Sequence, residues 1–122
     1  MKKKFAVMAI AGAALCMAAM PACAAEDLIT VGYAQVGHES DWRTANTQNY
    51  QDVFSEEAGY SLDLVDCDND NAAQLEAVRT FINKEMDYII IAPIQSAGWD
   101  TVLQEAQDAG IPVIIADREI EA

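Results

Sequence analysis

Four apolar runs of strand length alternate with three stretches whose apolar residues recur at helical spacing, and this alternation limits the fold more than any other feature of the chain. The first run, Leu28 to Ala34, leads into a polar loop, Gln35 to Ser40, with Gly37 as its flexible point. A helix is expected from Asp41, capped by Ser40 or Asp41, with Trp42, Ala45, Val53, Phe54 and Ala58 inward and Gly59 as its stop. Tyr60 to Val65 alternates like a strand with one solvated face. Asn71 and Gln74 have the spacing of a capping box, and Leu75, Val78, Phe81 and Ile82 form the stripe of a helix from Ala72 to about Lys84. Tyr88 to Ala92 is apolar throughout, as in a strand covered on both faces. A third helix is expected from Ala97 to Ala109, burying Trp99, Val102, Leu103 and Ala106 and closing at Gly110. Ile111 to Ala116 supplies the last strand, with Pro112 tolerated near its start. Strands of this kind joined through helices predict an α/β domain: a doubly wound parallel sheet with helices on both faces.

The chain begins as an exported protein does. Lys2, Lys3 and Lys4 precede an apolar stretch from Phe5 to about Met20 and then small residues, the order of a secretory signal peptide. The apolar run is shorter than the roughly 20 residues needed to span a bilayer. Ala22-Cys23-Ala24 fits the cleavage pattern, which divides the chain into a signal peptide, 1–24, and a domain, 25–122. Met20-Pro21-Ala22-Cys23 also resembles a loose lipobox, in which Cys23 is acylated and becomes the mature N-terminus. Either route ends in the periplasm or at the cell envelope. Only Cys67 then remains, expected as a packed or half-exposed thiol with no partner for a disulfide.

Removal of residues 1–24 leaves four basic residues against 20 acidic ones, a net charge of −16. Such a surface repels phosphate backbones and anionic lipid, which argues against nucleic acid as a partner. The run Asp66-Cys67-Asp68-Asn69-Asp70-Asn71 invites a calcium reading, but an EF-hand loop needs Gly at its sixth position and Glu at its twelfth, where this chain has Asn71 and Ala77. Its carboxylates are expected to cap the following helix. No phosphate-cradling glycine loop, nucleophile elbow or metal-ligand cluster is present, so neither a cofactor, a metal nor a catalytic residue is expected and the chain is not read as an enzyme. His38 is the only histidine and is expected on a loop surface.

In doubly wound sheets ligands bind beyond the carboxyl ends of the strands, near the point where strand order reverses. The first such loop and helix start hold Gln35, His38, Glu39, Trp42 and Arg43, and the last presents Asp117 and Arg118 beyond Ala116. A neutral polyol calls for this mixture. Its hydroxyls donate to carboxylates and accept from guanidinium groups, while an aromatic face covers the C–H side of the ring. Each residue also has a plain structural reading: Trp42 as core, Arg43 as a solvated helix residue, Asp117 and Arg118 as a mutual pair.

The segments Val31-Gly32-Tyr33-Ala34-Gln35-Val36-Gly37, Ser40-Asp41-Trp42-Arg43, Ile89-Ile90-Ile91-Ala92-Pro93 and Ile111 to Arg118 resemble, in order and spacing, the N-terminal lobe of type I periplasmic sugar-binding proteins, galactofuranose- and ribose-binding members among them. The resemblance covers nearly all of Leu28 to Arg118. It implies two lobes with a monosaccharide held between them, docking on the membrane permease of an ABC importer, and a second lobe of roughly 200 residues that this sequence does not contain. It further implies sugar contacts from Trp42, Arg43, Asp117 and Arg118, with Gln35 and Glu39 as further candidates. Ribose-type members have Asn-Pro after the third strand where this chain has Ala92-Pro93, so a ribose ligand is not expected. An extracytoplasmic sugar sensor that signals to a membrane receptor is the alternative, and an exported flavodoxin-like enzyme would need a catalytic pair that the sequence does not offer. A repressor of this fold would carry a helix-turn-helix where the basic and apolar leader stands.

Overall fold

The computed structural model of the chain describes residues 27–121. The expected signal peptide, with Cys23, lies outside the described residues. Four parallel strands form one sheet: β1 (Ile29–Gln35), β2 (Tyr60–Asp66), β3 (Tyr88–Ile91) and β4 (Val113–Ile115), in the order β2-β1-β3-β4. β1 pairs with β2 from Ile29↔Tyr60 to Gln35↔Asp66, and β3 pairs with β4 from Ile89↔Val113 to Ile91↔Ile115. The chain thus moves outward from β1 to β2 and then crosses back over β1 to β3. This reversal puts the switch point between β1 and β3, as expected for a doubly wound sheet of the type I periplasmic-binding-protein kind.

Helix α1 (Asp41–Val53) covers one face of the sheet, and α2 (Asn71–Asn83) and α3 (Asp100–Asp108) cover the other. Under α2 and α3 lies an apolar core of Val78, Phe81, Ile89, Ile91, Trp99 and Val102. Gly32 is required where it stands, since a Cβ there would lie 2.5 Å from Phe81 Cγ. Under α1 the packing is aromatic: Tyr33 stacks on Tyr50 with centroids 4.2 Å apart, Tyr50 on Phe54 at 5.9 Å, and Phe54 meets Tyr60 edge-on at 5.1 Å. Trp99 packs fully inside, as its spacing suggested.

Four local expectations need correction. Along α1 and its C-cap the inward side chains are Arg43, Thr47, Tyr50 and Phe54, whereas Trp42 is 60% exposed and Ala45, Val53 and Ala58 also face out. Counting apolar residues misjudges this face because polar residues share it, Asn46 Nδ2 donating to Tyr33 Oη and Thr47 Oγ1 to Gln35 Oε1. The helix begins where Ser40 Oγ accepts from the Arg43 N–H, and it ends at Val53; Gly59, at φ 95°, terminates a separate 3₁₀ turn, Glu56–Ala58. In α2 the expected Asn71–Gln74 capping box does not form: Asp70, one of the carboxylates expected to cap the helix, accepts from the Ala72 and Ala73 N–H groups, and Gln74 turns into the sheet. Helix α3 starts at Asp100, three residues later than its apolar spacing suggested, because Gly98 at φ 90° holds the preceding segment out of the helix.

Candidate functional site

The carboxyl edge of the sheet gathers the segments after all four strands. After β1 the chain runs through Gly37 to Ser40, whose cap on α1 fixes the direction of the next two side chains. Arg43 goes inward and is 2% exposed, and Trp42 stays outside with its ring beneath the guanidinium, 4.9 Å from centroid to Cζ. After β4, Asp117 adopts φ 71°, and the Arg118 N–H donates to Ala116 O across it at 2.8 Å. An i to i+2 hydrogen bond at positive φ is the rarer hand of γ-turn, a strained conformation for a residue with a side chain. The turn aims Asp117 back across the sheet, where its Oδ2 accepts from Arg43 Nη2 at 2.9 Å.

These two loops meet although 74 residues separate Arg43 from Asp117. Glu39 joins from the same side, its Oε1 accepting from Arg43 Nε at 3.4 Å, and Arg118 Nε lies 4.0 Å from Asp117 Oδ2. The result is an alternating chain of Glu39, Arg43, Asp117 and Arg118. Its formal charge is zero in a strongly acidic protein, which matches a neutral ligand. Burial alone would lower the pKa of Arg43, but the bond from Asp117 and the charge of Glu39 outweigh it and raise the value, keeping the cation fixed. Among the described residues only Arg43 Nη1 and Asn71 Oδ1 are buried side-chain polar atoms with no hydrogen-bond partner. An unpaired guanidinium N–H in such a place is costly unless something accepts from it.

Gln35 is placed differently from the other candidates. It is 1% exposed, and its amide is committed on both sides, Nε2 donating to Gly37 O and Oε1 accepting from Thr47. The single Thr47 hydroxyl proton is shared between Gln35 Oε1 at 2.8 Å and Arg43 O at 3.1 Å, so Gln35 braces the loop and helix that carry Arg43. His38 lies on the outer loop surface with Nδ1 against Asp66 Oδ2. That bond raises the pKa of His38, while the Asp68 backbone N–H and His38 together lower Asp66 against the opposing effect of its partial burial. Cys67 is buried, and burial pushes its thiol up to about 11. Among the described residues no group of three or more His, Cys, Asp and Glu is arranged to hold a metal ion. The residue that sequence reasoning misread is Gln74: a glutamine in the first turn of a helix reads equally as a cap or as an inward hook, and only the sheet beside it decides.

Residues 31–122 match the family described as periplasmic binding protein domain. The chain is 43% identical over 104 residues to the galactofuranose-binding protein YtfQ of Escherichia coli, covering 85% of this chain and 32% of that protein. Among solved structures it is similar to a Mycobacterium smegmatis protein in complex with β-D-fucofuranose, with a TM-score of 0.73 and 46% identity over 77% of this chain and 31% of the other. It is similar too to the periplasmic binding protein component of an arabinose ABC transporter from Shewanella sp. ANA-3, bound to α- and β-L-arabinofuranose (TM-score 0.72, 43% identity, 76% of this chain and 30% of the other). The chain spans about a third of the length of each.

Proposed function

Because this chain belongs to the periplasmic binding protein family, we propose that it forms the N-terminal lobe of an exported sugar-binding protein that delivers a monosaccharide, in its furanose form, to the permease of an ABC importer. One observation carries the reading. At the carboxyl edge of the sheet a buried guanidinium is held on two sides by carboxylates, lies over an exposed indole, and keeps one nitrogen free of any protein acceptor.

In this reading Arg43 Nη1 donates to a sugar oxygen, and the Asp117 oxygen not engaged by Arg43 accepts from a hydroxyl. Trp42 covers the C–H face of the ring, and Arg118 supplies a second fork of donors from the rim. Gln35 and Glu39 hold Arg43 in place. Each charge-assisted bond to the sugar contributes about 1.5 to 3 kcal/mol, so two or three of them with the stacking contact suffice for selective capture once a second lobe excludes water. Ala92, fully buried, brings no polar side chain to this edge, in keeping with a ligand other than ribose. The furanose form is supported by the sugars that the similar proteins are named for or bound to. Export rests on the leader-like residues 1–24, and delivery to a permease on the family.

Calorimetry with L-arabinose and D-galactose, in protein that includes a second lobe, tests the assignment. Asp117→Asn keeps the side-chain shape and the tolerance for positive φ but removes the charge, and Arg118→Ala removes the rim donors. Each is expected to weaken binding at least about tenfold, the equivalent of roughly 1.4 kcal/mol. Unchanged affinity in both variants rejects the site.

A further inference from the structure

Gln74 is fully buried in α2, 31 residues from Arg43 in sequence, and its side-chain amide makes three hydrogen bonds that no helix needs. Nε2 donates to Ala34 O at 3.2 Å and to Ala92 O at 2.7 Å, and Oε1 accepts from the Ile94 N–H at 2.9 Å. Ala34 is the penultimate residue of β1, and Ala92 follows β3 directly. The regular ladder between these strands closes with the Ala92 N–H donating to Ala34 O at 3.1 Å. Beyond it Pro93 has no N–H to offer, and the pairing of β1 with β3 ends at Ala34↔Ile91. The amide of Gln74 therefore stands in for one more peptide unit, tying the end of β1 to the start of the loop after β3.

We infer that Gln74 is a positioning residue of the sugar site, fixing how far β1 and β3 spread where the ligand edge opens. The connection to the site is short. Ala34 leads into Gln35, whose amide holds Thr47 and through it the backbone of Arg43. On the other side, the Ala116 N–H donates to Ile91 O, so the end of β3 also sets where Asp117 begins its turn. A shift of either strand end therefore moves one half of the Arg43–Asp117 pair against the other. The purpose assigned to Gln74 rests on the sugar-binding reading, whereas its mechanics rest on the hydrogen bonds alone.

The test compares Gln74→Met and Gln74→Glu with the unaltered chain by NMR. Met fills the same volume without bridging. Amide exchange at Ile94 is expected to accelerate at least about fivefold, the loss of one net hydrogen bond, while exchange at Val31 in mid-β1 stays as it was. The Arg43 Nε–H signal is expected to move in the absence of sugar, and the response of the Trp42 indole to L-arabinose to require at least about threefold more sugar. Gln74→Glu supplies the rescue. When protonated, the carboxyl has one donor and one acceptor and restores the Arg43 signal. As pH rises through its burial-raised pKa, it ionises against two carbonyl oxygens and the signal shifts away, a step read as the difference from the unaltered chain at each pH, since Glu39 and Asp117 bond Arg43 in both. Equal protection of Ile94 in Gln74→Met, acceleration spread evenly over the sheet, or an unmoved Arg43 signal overturns the inference. The sugar arm is run in protein that includes a second lobe: if that protein with Gln74 unaltered shows no response to sugar, the binding reading fails, and the sugar-free signals of Ile94 and Arg43 still decide the role of Gln74.

Discussion

The two faces of the sheet are built on different principles. Beneath α2 and α3, the large side chains Phe81, Trp99, Ile89 and Ile91 are wholly buried and apolar, and Gln74, the one buried polar side chain there among the described residues, uses both amide donors and its carbonyl oxygen in hydrogen bonds. Beneath α1, phenol rings stack along the helix, amides and hydroxyls link it to the sheet, and a charged arginine lies inside. Burial pushes up the pKa values of Tyr33 and Tyr50, so both phenols stay neutral beside that cation. The first face stabilises by excluding water, and the second spends part of that stability on holding charges at a set geometry. A fold of this size can carry a polar site because the opposite face is closed.

If that division is correct, the largest loss of stability belongs to the closed face. Trp99→Ala is expected to cost about 3 to 5 kcal/mol in chemical denaturation, since its indole is enclosed and its N–H is bonded to Gln95 O. Gly32→Ala comes next, at roughly 1 to 3 kcal/mol, because the new Cβ drives into the Phe81 ring. On the open face, Arg43→Met is expected to cost no more than about 1 kcal/mol, as Met keeps the apolar stem and Asp117, 31% exposed, is left to water. The same change is expected to abolish any response to sugar. The contrast breaks if Arg43→Met unfolds the chain as readily as Trp99→Ala.

The smallest effect concerns the loop between the faces. His38 has its pKa raised by Asp66, and Asp66 is held low, so their attraction stabilises the fold between the two titrations. His38 contributes fully below its ordinary value of 6.5 and loses that contribution as pH rises through the higher folded value. Asp66 contributes above its ordinary value of 3.8 and loses the contribution as pH falls through its lowered one. An NMR titration of His38 is expected to give a midpoint above the ordinary one, and Asp66→Asn to bring it back. An unshifted midpoint in the unaltered chain removes this contact from the account.

The parallel sheet was legible because largely buried strands such as Tyr88 to Ala92, where only Tyr88 is exposed, and amphipathic helices such as α2 leave different periods in the sequence. Element ends were less so. They depend on which of two neighbouring residues takes the cap, Asp70 against Asn71 for example, and on positive φ at Gly98, neither of which periodicity records. The meeting of Arg43 with Asp117 followed from the strand-end rule, since both lie just beyond carboxyl termini of parallel strands. The inward face of α1 and the hook of Gln74 did not. In both, polar side chains occupy interior positions because specific partners await them, and hydrophobic counting assigns such residues to solvent.

Two indoles in one chain allow the central claim to be measured against an internal control. Trp42 lies exposed against Arg43 at the proposed site, and Trp99 lies buried under the other face. In protein that includes a second lobe, titrated with L-arabinose or D-galactose and followed by these two indole N–H signals, the Trp42 signal is expected to move with sugar concentration and the Trp99 signal to stay fixed. Equal movement of both, or movement at Trp99 alone, would contradict the account.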